Sequence, residues 1–138
     1  MYEKLLTYKN KTVFVTGNSG FKGAWLSVFL KELGAKVVGY SDKIKWKKSV
    51  FDSNSIEHIK QFWGDIRDYK NLEKCIVESN PDFIFHLAAQ PLVIDSFKNP
   101  FETFTTNING TLNLLDIAYK KNITIPIVIV TSDKVYDN

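Results

Sequence analysis

Residues 16–23 form the segment whose residue types and spacing best suit a chemical task, with glycine at positions 17, 20 and 23. Gly17 permits a tight turn because it lacks the Cβ atom that penalises positive φ. Gly20 would let backbone N–H groups approach a pyrophosphate at the partly positive start of a helix, and Gly23 would let that helix pack closely on a sheet. The spacing predicts dinucleotide binding, and the alternative is a strand–helix turn with incidental glycines. The predicted cofactor-binding residues of this loop are Gly17, Asn18, Ser19, Gly20, Phe21, Lys22 and Gly23.

An acidic residue about 20 positions after such a loop commonly accepts hydrogen bonds from the ribose hydroxyls of an adenosine. The residues at that distance in this chain are Ser41 and Asp42. Because a carboxylate would repel a 2′-phosphate, Asp42 favours NAD over NADP as the cofactor. Lys43 and Lys45 follow at once and keep NADP open. The alternative for Asp42 is an ordinary turn residue.

The elements that must position these residues alternate between strand and helix. Continuous apolar, β-branched runs predict strands buried on both faces, and apolar residues at three- and four-residue spacing predict helices. The predicted strands are 12–16, 36–40, a short one ending at 62–63, 82–86 and 126–131, and the predicted helices are 21–33, 71–78 and 101–121. Strands separated by helices imply parallel βαβ crossovers. The predicted fold class is therefore α/β, a Rossmann-like doubly wound parallel sheet of about five strands in the order 3-2-1-4-5.

Three side chains on these elements have more specific predictions. Asp68 can cap the helix 71–78, because its carboxylate can accept hydrogen bonds from unpaired backbone N–H groups. In the helix 21–33 the apolar residues form one stripe, which predicts that Trp25 lies on the core side. His86, at the end of the fourth strand, is predicted to be a buried structural histidine.

Composition limits the classes of function. The chain has 138 residues, 44% of them hydrophobic, a net charge of +3 and one cysteine, Cys75. The length predicts one domain, and no apolar run approaches the ~18 residues of a membrane span. A lone cysteine without a signal-peptide pattern indicates a cytoplasmic location. Most of the positive surplus lies in residues 43–48, where a solvated loop that could attract an anionic ligand is favoured over nucleic-acid binding.

Ordered motifs along the chain resemble the extended short-chain dehydrogenase/reductase superfamily. They are the glycine loop at 16–23, Gly-Asp-Ile-Arg-Asp at 64–68 and His-Leu-Ala-Ala-Gln at 86–90. Three segments narrow the resemblance to CDP-glucose 4,6-dehydratases: Phe-Lys-Gly-Ala-Trp-Leu at 21–26, the extension of the third motif to Val93, and Thr-Ser-Asp-Lys at 131–134. Epimerases and dTDP-glucose dehydratases of the superfamily tend to have Glu where Gln90 stands and an acidic residue in place of Lys134.

The resemblance implies NAD as the cofactor and adds residues to its site. Asp65 would accept a hydrogen bond from the adenine amine and Ile66 would cover the ring, whereas the alternative for Asp65 is a helix-entry cap. Small residues after the fourth strand would let the cofactor pass close to the backbone. Asn107 would support the geometry of the site from within the long helix. Beyond the glycine loop, the predicted cofactor-binding residues are Asp42, Asp65, Ile66, Leu87, Ala88, Ala89, Gln90 and Asn107.

The resemblance also implies a reaction, the conversion of CDP-glucose to CDP-4-keto-6-deoxyglucose through transient hydride transfer to NAD. Ser132 would hydrogen-bond the sugar C4 oxygen, Asp133 would protonate the departing C6 hydroxyl, and Lys134 would act near C5. The alternative for this segment is a strand-end turn with a capping aspartate. No metal is implied.

The sequence departs from the superfamily pattern in two places. The pair Tyr-x-x-x-Lys does not occur, and Ile94-Asp95 stands where family members usually carry basic residues. Residues 1–138 are therefore predicted to be an incomplete NAD-binding Rossmann domain, lacking C-terminal strands and a substrate domain and inactive alone. The alternatives are a non-catalytic NAD-binding module and a fragment of a related epimerase or dehydratase.

The resemblance further implies two kinds of partner. A nucleotide sugar, CDP-glucose, would be the substrate of the full-length parent. A homodimer would form through the helix 101–121. No nucleic-acid or membrane partner is expected.

Overall fold

The secondary structure comes from a computed structural model, which describes residues 6–42 and 59–132. The strands are β1 (Thr12–Thr16), β2 (Lys36–Ser41), β3 (Lys60–Trp63), β4 (Phe83–His86) and β5 (Ile127–Ile129). The helices are α1 (Phe21–Glu32), α2 (Tyr69–Ser79), α3 (Val93–Lys98), α4 (Pro100–Phe104) and α5 (Gly110–Lys120). A 3-10 turn at Leu6–Tyr8 precedes β1, and a π-helical turn at Thr105–Asn109 joins α4 to α5. None of the described helices is long and apolar enough to cross a bilayer.

The five strands form one parallel sheet in the order β3-β2-β1-β4-β5, which confirms the predicted fold class and strand order. β1 occupies the centre because its side chains at Val13, Phe14 and Val15 are fully buried and suit a strand covered on both faces. In the register, Thr16 lies beside Tyr40 of β2 and His86 of β4. The segments that follow β1, β2 and β4 therefore leave the sheet at one edge, where the strand order reverses.

A separate hydrophobic core lies on each face of the sheet. Helices α2 and α5 cover one face, where Leu72 and Leu114 are fully buried in a cluster with Phe14 of β1. Helix α1 covers the other face, where Leu30 packs in a cluster with Val13. The sheet is thus buried on both sides, as βαβ crossovers require.

The helix boundaries of α2 match local signals in the sequence. Asn71 N donates a hydrogen bond of 3.1 Å to Asp68 Oδ1, so the predicted cap is confirmed. The helix is followed by its C-cap Asn80, whose φ of 41° places it in the left-handed region that asparagine tolerates.

The orientation of α1 differs from the prediction. Trp25 is 54% exposed, and Phe29 is 48% exposed. The buried residues of α1 are Gly23, Ala24, Ser27 and Leu30. The prediction that Trp25 lies on the core side is wrong because it followed the bulky apolar residues, whereas the helix approaches the sheet through three small residues and Leu30. Ser27 can be buried there because its Oγ donates a 2.8 Å hydrogen bond to Gly23 O.

The predicted helix 101–121 is not one regular α-helix. It begins at Pro100, where the missing N–H costs nothing in a first turn, and it changes to π geometry at Thr105–Asn109. Thr111 Oγ1, in the first turn of α5, donates back to Asn107 O of the π turn at 2.7 Å. Apolar periodicity does not distinguish π from α geometry and does not reveal a short helix, so neither the π turn nor the six-residue α3 was predicted.

The corrected orientation of α1 can be tested by truncating neighbouring residues. Leu30→Ala should lower the free energy of unfolding by about 2–5 kcal/mol, because Leu30 is 1% exposed. Phe29→Ala should cost about 1 kcal/mol or less, because half of that side chain already contacts water. Urea unfolding of both variants measures the difference, and a larger loss for Phe29→Ala would contradict this orientation.

Candidate functional site

A cleft of about 950 Å³ opens at the carboxyl edge of the sheet, between the segments that follow β1, β2 and β4 and the region of α3 and α4. Its volume is near the upper end of the ~300–1,000 Å³ range of small-molecule and cofactor sites. The predicted cofactor-binding residues that line it are Gly17, Ser19, Gly20, Phe21, Lys22, Gly23, Asp42, Asp65, Ile66, Leu87, Ala88, Ala89 and Gln90. The fold therefore brings most of the predicted site residues to one cavity.

The glycine loop forms a cradle in which side chains have no room. Gly17 has φ +70°, and a Cβ there would lie 2.7 Å from Ala88 N. A Cβ at Gly23 would collide with Gly17 O. Gly20 is the N-cap of α1 and provides no side-chain cap for the N–H groups of the first helical turn. This amino end of α1 lines the cleft, so its N–H groups and helix dipole favour an anion such as a pyrophosphate.

Asn18 lies beneath the loop and does not line the cleft. Its side chain is fully buried, its Nδ2 donates to Gln61 Oε1 at 2.6 Å, and its Oδ1 accepts from Ser41 Oγ at 2.6 Å. Ser41 Oγ in turn accepts from Ser19 N at 3.0 Å. The N–H of Ser19 is thereby used within the protein, and Asn18 ties the glycine loop to β2 and β3.

The segment 64–67 forms another wall of the cleft. Tyr40 OH donates to Asp65 O at 2.9 Å, and burial raises the pKa of this phenol, which keeps it a neutral donor. Asn113 Nδ2 of α5 donates to Ile66 O at 3.2 Å. A Cβ at Gly110 would lie 2.5 Å from Ile66 Cγ2, so α5 packs directly against this wall. The carboxylate of Asp65 pairs with the guanidinium of Arg67.

His86 is the centre of a buried hydrogen-bond chain. Thr16 Oγ1 accepts from Leu87 N and Ala88 N, both at 3.1 Å, so its own proton goes to His86 Nδ1 at 2.8 Å. His86 Nε2 therefore carries the ring proton and donates to Thr111 Oγ1 at 3.0 Å. Burial lowers the pKa of His86 to about 4, so the ring is neutral near pH 7. This placement fits the predicted structural role of His86.

Asn107 connects the π turn to the loop after β4. Its Oδ1 accepts from Gln90 N at 2.8 Å, and its Nδ2 donates to Gln90 O at 3.2 Å. The oxygen and the nitrogen of the Asn107 side-chain amide thus both hold the backbone of Gln90 on the cleft wall. The Gln90 side chain is itself fixed, because Nε2 donates to Thr103 Oγ1 at 2.8 Å.

The predicted catalytic segment begins at the mouth of the cleft. Thr131 lines the cleft and Ser132 is the next residue along the chain. Asp133, Lys134 and the basic run 43–48 lie outside the described residues. In the part of the chain that the structure describes, no three His, Cys, Asp or Glu side chains are grouped as a metal site.

Several residues that hold the site were not found by sequence reasoning. Tyr40 and Gln61 read as ordinary strand residues, and Thr111 and Asn113 read as ordinary polar helix residues. Each acts through a partner far along the chain, such as Asp65 for Tyr40 and His86 for Thr111. Such pairings could not be identified without knowing the sheet register.

A doubly wound parallel sheet with an anion cradle at its topological switch point defines a dinucleotide-binding protein of the Rossmann class. The comparisons with known proteins narrow this class. The profile of the GDP-mannose 4,6 dehydratase family matches residues 14–138. The chain belongs to this family, within the extended short-chain dehydrogenase/reductase superfamily.

Similar proteins include dehydratases and epimerases of nucleotide sugars. CDP-glucose 4,6-dehydratase of Salmonella typhimurium is 43% identical over 132 residues, which are 95% of this chain and 37% of that protein. GDP-mannose 4,6-dehydratase of Yersinia enterocolitica is 36% identical over 77% of this chain and 30% of its own length. The chain thus spans about a third of the curated relatives that it matches.

Solved structures agree with the fold. An epimerase of Methanothermobacter thermautotrophicus has a TM-score of 0.86 at 28% identity, with 99% of this chain and 40% of that chain covered. UDP-glucose 4-epimerase of Stenotrophomonas maltophila, solved with bound NAD, has a TM-score of 0.82 at 28% identity and covers 94% of this chain and 39% of its own.

The buried state of His86 predicts a pH-dependent stability. Because its folded pKa of about 4 lies below the unfolded value of ~6.5, the unfolded chain binds a proton first as the pH falls. The contribution of neutral His86 to the free energy of unfolding should be fully present above pH 6.5. The free energy of unfolding should decrease by up to about 3 kcal/mol as the pH falls from there through 4. Urea midpoints between pH 7.5 and 4.5 measure most of this loss, and a variant without the imidazole separates it from the carboxylates that begin to titrate at the lower end.

His86→Gln serves as the control for this titration. The variant should be less stable at pH 7.5, but its stability should change much less between pH 6.5 and 4.5. An unchanged slope in the variant would show that another group causes the pH dependence.

Proposed function

We propose that this chain is the NAD-binding portion of a nucleotide-sugar 4,6-dehydratase that converts CDP-glucose to CDP-4-keto-6-deoxyglucose. The observation that carries the proposal is the cradle made by the glycine loop and the amino end of α1. The cavity beside it has the size of a cofactor site. NAD, when bound, would supply reversible acceptance of a hydride.

The cradle residues would bind the pyrophosphate through backbone N–H groups of the first turn of α1. Gly17 and Gly23 would contribute by letting the backbone segments pass each other closely. Lys22 lines the cleft at this turn and adds positive charge near the pyrophosphate. Asn18 and Ser41 would contribute indirectly, because they hold the loop in place from below.

The remaining cofactor residues would bind the adenosine and the nicotinamide ribose. Asp42 lines the cleft at the end of β2, and its charge supports NAD over NADP. Asp65 and Ile66 would bind the adenine by an acceptor and an apolar contact. The small residues Ala88 and Ala89, with Gln90 held by Asn107, would form the wall along which the cofactor extends.

The choice of CDP-glucose as substrate is supported by the 43% identity to a CDP-glucose 4,6-dehydratase. Ser132 would hydrogen-bond the sugar C4 oxygen, since the preceding Thr131 lines the cleft. Asp133 and Lys134 would supply the proton transfers at C6 and C5, as the family resemblance implies. The proposed setting is the cytoplasm, with residues 1–138 as one part of a longer enzyme.

We also propose a homodimer, which is supported by an exposed apolar stripe along α4, the π turn and α5. The members of this stripe, all at least 41% exposed, are Phe101, Phe104, Ile108, Leu112, Leu115 and Tyr119. They recur every three or four residues along the helices, and an apolar surface of this kind is typical of a protein–protein interface.

Cofactor binding is tested by Gly20→Val. A Cβ at Gly20 would contact one atom, Gly17 O at 3.3 Å, so the chain should fold, while the side chain would obstruct the approach of the pyrophosphate. Calorimetric titration with NAD should show binding to the unsubstituted chain and at least about tenfold weaker binding to the variant, a loss of about 1.4 kcal/mol or more.

Gly23→Ala is the matched control in the same loop. Its Cβ would collide with Gly17 O, so this variant should lose stability in thermal unfolding, whereas Gly20→Val should remain close to the unsubstituted chain. Equal heats of NAD binding for the unsubstituted chain and Gly20→Val would exclude the loop as the pyrophosphate site.

The homodimer is tested by Leu112→Glu. Leu112 is 57% exposed in the centre of the stripe, so a glutamate should leave the fold intact and convert a dimer to a monomer in analytical ultracentrifugation. Val77→Glu on α2, at a position that is 54% exposed, is the control and should remain dimeric. A chain that is monomeric without any substitution would contradict the proposal.

A further inference from the structure

Arg67 is the one arginine among the 18 lysine and arginine residues of the chain, and it lies in an ion cluster at the edge of the cleft. The cluster consists of Asp65, Arg67 and Glu102, with Thr105 beside it. Asp65 follows β3, whereas Glu102 belongs to α4. The cluster therefore connects the segment 64–67, which is proposed to bind adenine, to α4, which also lines the cleft.

All five N–H donors of the Arg67 guanidinium form hydrogen bonds within this cluster. Nε donates to Asp65, 2.9 Å from Oδ1 and 3.1 Å from Oδ2, and Nη2 donates to Asp65 Oδ2 at 2.5 Å and Glu102 Oε1 at 3.1 Å. Nη1 donates to Glu102 Oε2 at 2.8 Å and Thr105 Oγ1 at 3.2 Å. With five donors engaged, the side chain has none left for a phosphate. Its task in this arrangement is to hold other residues.

Arg67 fixes the orientation of the Asp65 carboxylate. Both carboxylate oxygens accept from the guanidinium fork, and Oδ1 also accepts from Arg67 N at 2.8 Å. A lysine ammonium lacks the planar fork that pairs with a carboxylate in this way. The hydrogen bonds to Asp65, and to a lesser degree those to Glu102, raise the pKa of Arg67. The guanidinium that clamps Asp65 therefore stays charged across the pH range in which the protein is folded.

The backbone around the clamp is held as well. Tyr40 OH and Asp68 N donate to Asp65 O, at 2.9 and 3.0 Å. Asn113 Nδ2 donates to Ile66 O and to Arg67 O, the latter at 3.0 Å. Asp65 lines the cleft, so a carboxylate held on such a fixed segment meets a ligand in one orientation.

We propose that Arg67 is a positioning residue that, through Asp65, makes the cleft select adenine over a 6-oxo purine. The inference rests on the proposed NAD function. The 6-amino group of adenine can donate a hydrogen bond to the Asp65 carboxylate. A 6-oxo group is itself an acceptor, so it would be repelled by the carboxylate and bind more weakly. Selection of this kind requires that the carboxylate keep its orientation.

The test compares the dissociation constants of NAD and nicotinamide hypoxanthine dinucleotide, which differ at this purine position. The unsubstituted chain should bind NAD tighter by about tenfold or more. Arg67→Met should bring the two constants within about threefold of each other, and Arg67→Lys should also reduce the ratio because it keeps the charge without the fork. Lys60→Met removes the exposed Lys60–Glu78 pair, away from the cleft, and should keep the original ratio.

A ratio that stays unchanged in Arg67→Met, with both dinucleotides weakened equally, would overturn the inference by assigning Arg67 a merely structural role. If Arg67→Met does not fold, Glu102→Gln decides: a reduced ratio supports the inference and an unchanged one overturns it. An unsubstituted chain that binds both dinucleotides equally also overturns the inference but leaves the proposed function standing. A chain that binds neither overturns both.

Discussion

The side-by-side position of Thr16 and His86 at the ends of the two central strands is the constraint on which the rest of the site depends. Thr16 Oγ1 accepts from two successive backbone N–H groups and donates to the His86 ring. The hydroxyl thereby fixes where the chain turns away after β4, directly beneath the glycine loop. Gly17 has to be glycine because a Cβ at this position would lie 2.7 Å from the backbone of that turn.

The buried polar groups of this region are costly to desolvate, and they are stable because each one has partners. His86 is 2% exposed and keeps a single proton on Nε2, which is used by Thr111. Asn18 is fully buried and has a partner for both its amide oxygen and its amide nitrogen. These groups specify one arrangement of the strand ends, because a shift of register would leave several of them without hydrogen bonds.

Much of the fold could be predicted from the sequence, because strands buried on both faces and the glycine loop leave strong local signals. The cap at Asp68 is local too and was predicted correctly. Trp25 was misplaced because bulk and apolarity do not show which side of a helix meets a sheet. The fit of Asn107 to the Gln90 backbone and the clamp made by Arg67 depend on elements distant in sequence, so no pattern along the chain could reveal their partners.

The π turn at Thr105–Asn109 has a consequence for how the protein tolerates changes of length. One added residue in a helix rotates everything after it by about 100°. The turn thus sets the rotational phase in which Thr103 and Thr106 face the cleft while Leu114 and Ile117 face the sheet. Deleting or inserting a single residue between Thr106 and Leu114 would swing one of those faces into solvent. Along this stretch the number of residues is therefore as tightly constrained as their identity.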